Sequence, residues 1–123
     1  MNRTRQLILS AWLVLAIIPA ARAADFYLEQ SDVFVSGQEG YHTYRIPAVI
    51  VTPKGTVLAF CEGRKGGRGD AGNIDLLLKR SLDGGKTWQK TQVVWDDEDN
   101  TCGNPCPVID AKTGTIHLLL THN

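Results

Sequence analysis

Beyond Tyr41 the chain is a series of short apolar, β-branched runs broken at close intervals by turn residues, and none of them keeps a helical period. That pattern excludes helical bundles and predicts an all-β fold. "RIPAVIVT" (45–52) reads as a strand, "PKG" as a turn and "TVLAFCEG" (56–63) as a second strand. "IDLLLKRS" (74–81) is a third, "LDGG" a turn and "TWQKTQVVW" (87–95) a fourth. After the acidic loop "DDEDN", "CPVID" and "TIHLLLTH" begin the pattern again. Four meandering strands followed by a restart are the unit of a β-propeller blade.

The restart is visible as an internal repeat. Offset by 59 residues, "RIPAVIVTPKGTVLAF" lies over "NPCPVIDAKTGTIHLL". Val49, Ile50, Gly55 and Thr56 meet identical residues, and Arg45 meets Asn104. The offset exceeds the usual blade repeat of roughly 40–50 residues, as expected if the glycine-rich segment between the second and third strands is an insertion. A blade buries its faces only against other blades. About one and a half blades are therefore expected to need further chain, and "LLLTHN" reads as the front of a longer fold.

The first 23 residues read as a signal peptide: a basic "MNRTRQ", an apolar "LILSAWLVLAIIPA" and small residues at Ala21 and Ala23 for cleavage. An uncleaved anchor is the alternative, but a membrane span needs roughly 20 apolar residues. The expected destination is secreted or periplasmic, with no stable membrane insertion after cleavage. Losing Arg3, Arg5 and Arg22 leaves 10 Lys+Arg against 13 Asp+Glu, which argues against a nucleic-acid partner. No cofactor or metal is expected. A zinc site with His117 or His122 matches no usual spacing. Cys61 closes an apolar strand as a buried thiol. Whether Cys102 and Cys106 pair is left open by the sequence.

Three motifs stand out. In "SLDGGKTW" (81–88), Asp83 is placed to accept backbone N–H groups across a tight turn, Gly84 and Gly85 supply positive φ, and Thr87 and Trp88 open the next strand. In "YRIP", an arginine entering an apolar strand calls for an anion, either an internal carboxylate or a ligand's, and its planar fork suits a carboxylate held bidentately. Third, "EGRKGGRGDAGN" (62–73) crowds five glycines, three cations and two acids between two strands. By itself it reads as a solvated hairpin tip, and the adhesion spelling "RGD" within it is set aside.

Taken in order, "YRIP", "EGR", an Asp 25 residues after Arg45, "SLDGGKTW" and "NPCP" resemble the start of an exo-α-sialidase, a six-bladed propeller enzyme that removes terminal sialic acids. The "SLDGGKTW" stretch resembles the Asp-box of the bacterial neuraminidase repeat, which implies that Asp83 is a fold marker and not a site residue. The resemblance covers about Tyr41 to Asn123, within a propeller portion expected to span 24–123. It implies that Arg45 is the first of three arginines gripping the sugar carboxylate. Asp70 would be the general acid/base, Arg64 an arginine on the sugar's O4 side, either touching the sugar or supporting a group that does, and Asn104 part of the pocket rim. Sialylated glycans are the implied partners.

A partly desolvated Asp70 is expected, since an acid must hold its proton. Arg68 is expected to point outward and Asp75 to bond within the sheet. Sialidases use a tyrosine nucleophile, because an anionic one would be repelled by the carboxylate on the anomeric carbon. That tyrosine, its glutamate and the other arginines belong to later blades; Tyr27, Tyr41 and Tyr44 come too early. The competing readings are a non-catalytic secreted propeller that binds glycans or proteins, and a glycosidase for neutral sugars.

Overall fold

The computed structural model describes residues 27–123, so the expected signal peptide, 1–23, lies outside the described residues. Four strands form an antiparallel meander: β1 (Thr43–Val51), β2 (Val57–Arg64), β3 (Ile74–Ser81) and β4 (Gln92–Trp95). A second antiparallel sheet begins with β5 (Cys102–Ile109) and β6 (Ile116–His122). This is the blade and restart that the turn pattern predicts, and the described residues contain no helix.

The first three strands fall within two residues of their expected bounds, but β4 is shorter. Trp88 does not open it. Asp83 holds Thr87 back in the turn, accepting its N–H at Oδ1 (2.9 Å) and its hydroxyl at Oδ2 (2.6 Å). Ser81 completes the turn, donating to Asp83 (2.7 Å) and accepting the Gly85 N–H (2.8 Å). Gly84 and Gly85 take φ of 76° and 94°, which the absence of a Cβ makes cheap. Contact with β3 resumes where the Gln89 N–H meets the Arg80 carbonyl, and the regular ladder starts only at Gln92.

Each face of the first sheet has its own core. On one, Leu58, Phe60 and Leu78 pack with Ala48 and Ile50 and receive Leu118 from β6, joining the two sheets. On the other, Cys61 and Leu77 are covered by Tyr41, Phe34 and Tyr44 from the segment before and at the start of β1. Gly63 makes that cover fit, since a Cβ there would stand 2.7 Å from the Tyr41 ring. Cys61 is buried as expected, and burial pushes its thiol up to about 12. Cys102 and Cys106 are free. Four residues apart on a bulged strand, they pair with His122 and Leu119, three steps apart, so their Cα atoms are separated by about 10 Å, beyond the roughly 7 Å a disulfide spans.

The internal repeat is real, but its first half is displaced by one residue from the sequence alignment. In β1 the pairs Ala48–Phe60 and Val51–Val57 match Cys106–Leu119 and Ile109–Ile116 of the next sheet. The first members are offset by 58 and the second by 59, because the β5–β6 turn is one residue longer than the β1–β2 turn. Arg45 therefore corresponds to Gly103 and not to Asn104. Ile46 corresponds to Asn104, and the two share a positive φ (55° and 52°) and a following proline.

Candidate active site

The start of β1, the end of β2 and the start of β5 lie at one end of the two sheets, and the loop 65–73 springs from the same end. A bulge in β1 gives Arg45 its direction. Arg45 pairs with Glu62 and Ala48 with Phe60, so three steps on β1 match two on β2. Side chains alternate along a strand, and without the extra residue either Arg45 or Ala48 would turn to the opposite face. Ile46 absorbs the bulge at a φ of 55°, unfavourable for a β-branched residue and worth on the order of 1–3 kcal/mol of strain.

Glu62 and Arg64, two residues apart on β2, share a face. Both are about 3% exposed at the side chain, and Glu62 Oε2 accepts from Arg64 Nε (3.0 Å) and NH2 (2.5 Å). Arg64 NH1 reaches into the loop, donating to the carbonyls of Arg68 (2.8 Å) and Gly69 (2.7 Å) and to Asp70 Oδ1 (2.7 Å). Burial draws the Arg64 pKa down, but the bonds and charges of Glu62 and Asp70 outweigh it and hold it raised.

The loop is pinned as well at its neck. Lys65 N–H meets the Asn73 carbonyl, and Thr101 Oγ1 accepts from the Gly72 N–H and donates to the Gly72 carbonyl. The glycines thus allow an arch whose course is set by one buried guanidinium.

Asp70 stands at the crest of that arch, and Arg45 NH1 reaches it from β1 at 2.8 Å. The two residues that the sequence singled out as anion grip and proton donor therefore meet. Their state differs from the expectation in one respect. Asp70 is 80% exposed at the side chain and not partly desolvated, and the Arg64 hydrogen bond, then the charges of Arg45 and Arg64, hold its carboxyl below the usual range. Arg68, which was expected to point outward, is exposed and lends the cluster only its carbonyl.

Asn104 joins through its backbone. Its N–H donates to Glu62 Oε1 (2.9 Å), while its amide donates to Thr121 (2.8 Å) on β6. Glu62 thus ties the loop-holding Arg64 to the second sheet, a role that sequence reasoning missed; the signal was its two-residue spacing from Arg64. Asp75 is buried apart from the cluster, accepting from the Tyr41 hydroxyl (2.6 Å) and pairing with Lys65 (3.1 Å). Tyr44 donates to the Gln38 carbonyl, and burial pushes both tyrosine hydroxyls up, Tyr44 to about 12. Neither is poised as a nucleophile.

No family model matches the chain. A sialidase of Micromonospora viridifaciens is 43% identical, the match covering 73% of this chain and 14% of that protein. An exo-alpha-sialidase of Arthroderma benhamiae is 36% identical over 85% of this chain and 29% of its own length. The exo-alpha-sialidase of Aspergillus fumigatus is 35% identical, with 94% and 31% covered. Among solved structures, a Hadza microbial sialidase superposes with a TM-score of 0.60 at 29% identity, over 66% of this chain and 18% of that one. The chain spans less than a third of the length of these relatives. Its antiparallel sheets are those of a β-propeller, and the chain belongs to the sialidase family.

Proposed function

We propose that these residues form the first blade and the beginning of the second in a secreted or periplasmic exo-α-sialidase. It would hydrolyse terminal α-linked sialic acids of glycoconjugates with retention. The observation that carries the reading is the meeting of Arg45 and Asp70 at one sheet end, above the buried Glu62–Arg64 pair. Arg45 offers a guanidinium to the sugar carboxylate, and charge-assisted bonds of this kind contribute roughly 1.5–3 kcal/mol each. Arg64 positions the loop and thereby Asp70. Asp70 protonates the leaving glycosidic oxygen and later removes a proton from the water that attacks the glycosyl-enzyme. Asn104 lies beside this cluster at the pocket rim. The nucleophile is a tyrosine from another part of the propeller, since Tyr41 and Tyr44 are engaged elsewhere.

One observation favours a second reading, a propeller that binds acidic glycans without cleaving them: Asp70 is held ionised by two arginines. Leaving-group dependence separates the two. In the intact protein, Asp70→Ala is expected to lower kcat/KM for an alkyl sialoside by about 10²–10⁴, the usual contribution of a positioned acid. An aryl sialoside, whose leaving oxygen needs no proton, should be affected far less. Equal losses for both, or no hydrolysis by the parent protein, would favour the binding module.

A further inference from the structure

We propose that Asp70 holds the substrate carboxylate's place on Arg45 in the unliganded protein, so that only a sugar bringing its own carboxylate releases Asp70 to act. This rests on the sialidase reading and adds to it a cause of specificity: the carboxylate would be needed to free the acid as well as to bind.

The two arginines on Asp70 are unequal. Arg64 is buried and committed through Nε, NH1 and NH2 to Glu62, two loop carbonyls and Asp70. Arg45 is half exposed, and Asp70 is the sole hydrogen-bond partner of its guanidinium among the described residues. One oxygen, Asp70 Oδ1, serves both. A competitor therefore separates Asp70 from Arg45 and leaves Asp70 anchored through Arg64. The separation is cheap, because an exposed ion pair is weakened by solvent. The replacement is favourable, because a ligand carboxylate can engage the guanidinium fork through both oxygens. Asp70 then keeps one cation and gains a neighbouring anion, and both changes favour its protonated form. The proton comes from solvent and is the one later passed to the glycosidic oxygen. The charged groups around Asp70 are Arg45 from β1, Arg64 and Glu62 from β2 and the exposed Arg68 of its own loop; β5 adds only the uncharged Asn104.

Calorimetry of the intact protein at a series of acidic pH values tests this, with N-acetylneuraminic acid and its methyl ester as ligands, since the Asp70 carboxyl, held low in the free protein, rises on losing Arg45 and gaining an anion. Run in buffers of different ionisation enthalpy, binding of the acid should take up a proton, and binding of the ester should not. Asp70→Asn should abolish that uptake and tighten binding of the acid about two- to five-fold by removing the competitor. Uptake that persists in Asp70→Asn, or acid binding without uptake, or weaker acid binding by the variant, would overturn the competition while leaving the sialidase reading intact. Failure of both ligands to bind would overturn the reading on which it rests.

Discussion

Glu62 is the residue on which the geometry of the cluster turns. Its two oxygens face different parts of the fold: Oε2 holds Arg64 and so the loop, and Oε1 holds the Asn104 N–H at the start of the second sheet. Removing it leaves a buried guanidinium short of its counter-charge. Glu62→Ala is therefore expected to destabilise the intact protein by about 3 kcal/mol, with Glu62→Gln, which keeps an acceptor, costing less. Thermal unfolding checks this, and an Ala variant as stable as the parent would show that Asp70 alone neutralises Arg64. The sequence marked Arg45, because a charge entering an apolar strand demands a reason, and Arg64 and Asp70 were marked only through the resemblance to sialidases. It left Glu62 unremarked, since a carboxylate at a strand end looks solvated until its partners are known. The ionisation of Asp70 was also misjudged. A loop rich in glycine announces that it can bend, but which arginines it bends toward depends on a bulge at Ile46 and a buried bond from Arg64.

Among the elements, β3 was readable to the residue, because its apolar run ends at an abrupt turn signal. β4 was not. The Asp83 turn retains Thr87, and side-chain bonds of that kind compete with a ladder in a way that β propensity alone does not register. These bonds carry a pH signature. The Thr87 hydroxyl, the Thr87 N–H and then Ser81 hold Asp83 well below the carboxyl's ordinary value of 3.8. A depressed folded pKa means stability that is complete above the unfolded value and is lost as pH falls through the folded one. The turn should thus survive through pH 3.8, and a carboxyl titration of Asp83 by NMR in the intact protein should show its midpoint below that value. A midpoint at or above 3.8 would mean the bonds are not maintained in solution. The repeat was likewise legible in kind but not in register. A single extra residue in the β5–β6 turn moved Arg45 onto Gly103, and no local pattern reports the length of a turn in a distant copy.

For the molecule as a whole, the two sheets are joined by a modest core and leave Val49, Val51, Val108 and Leu119 more than half exposed. Blades cover such faces with one another. Residues 24–123 produced alone are expected to lack a cooperative thermal transition and to associate, read by calorimetry and light scattering; a sharp melt of a monomer would contradict this. The central claim is that Arg45 and Asp70 serve an acidic sugar together. It is tested most directly by the kcat/KM ratio of the intact protein for a sialoside and its carboxyl-reduced analogue. The parent protein should prefer the sialoside by more than the about 10–150-fold that one charge-assisted bond of roughly 1.5–3 kcal/mol supports, and Arg45→Ala should lower that preference by about one such factor. Equal turnover of the two substrates by the parent, or an unchanged ratio in Arg45→Ala, would contradict the account.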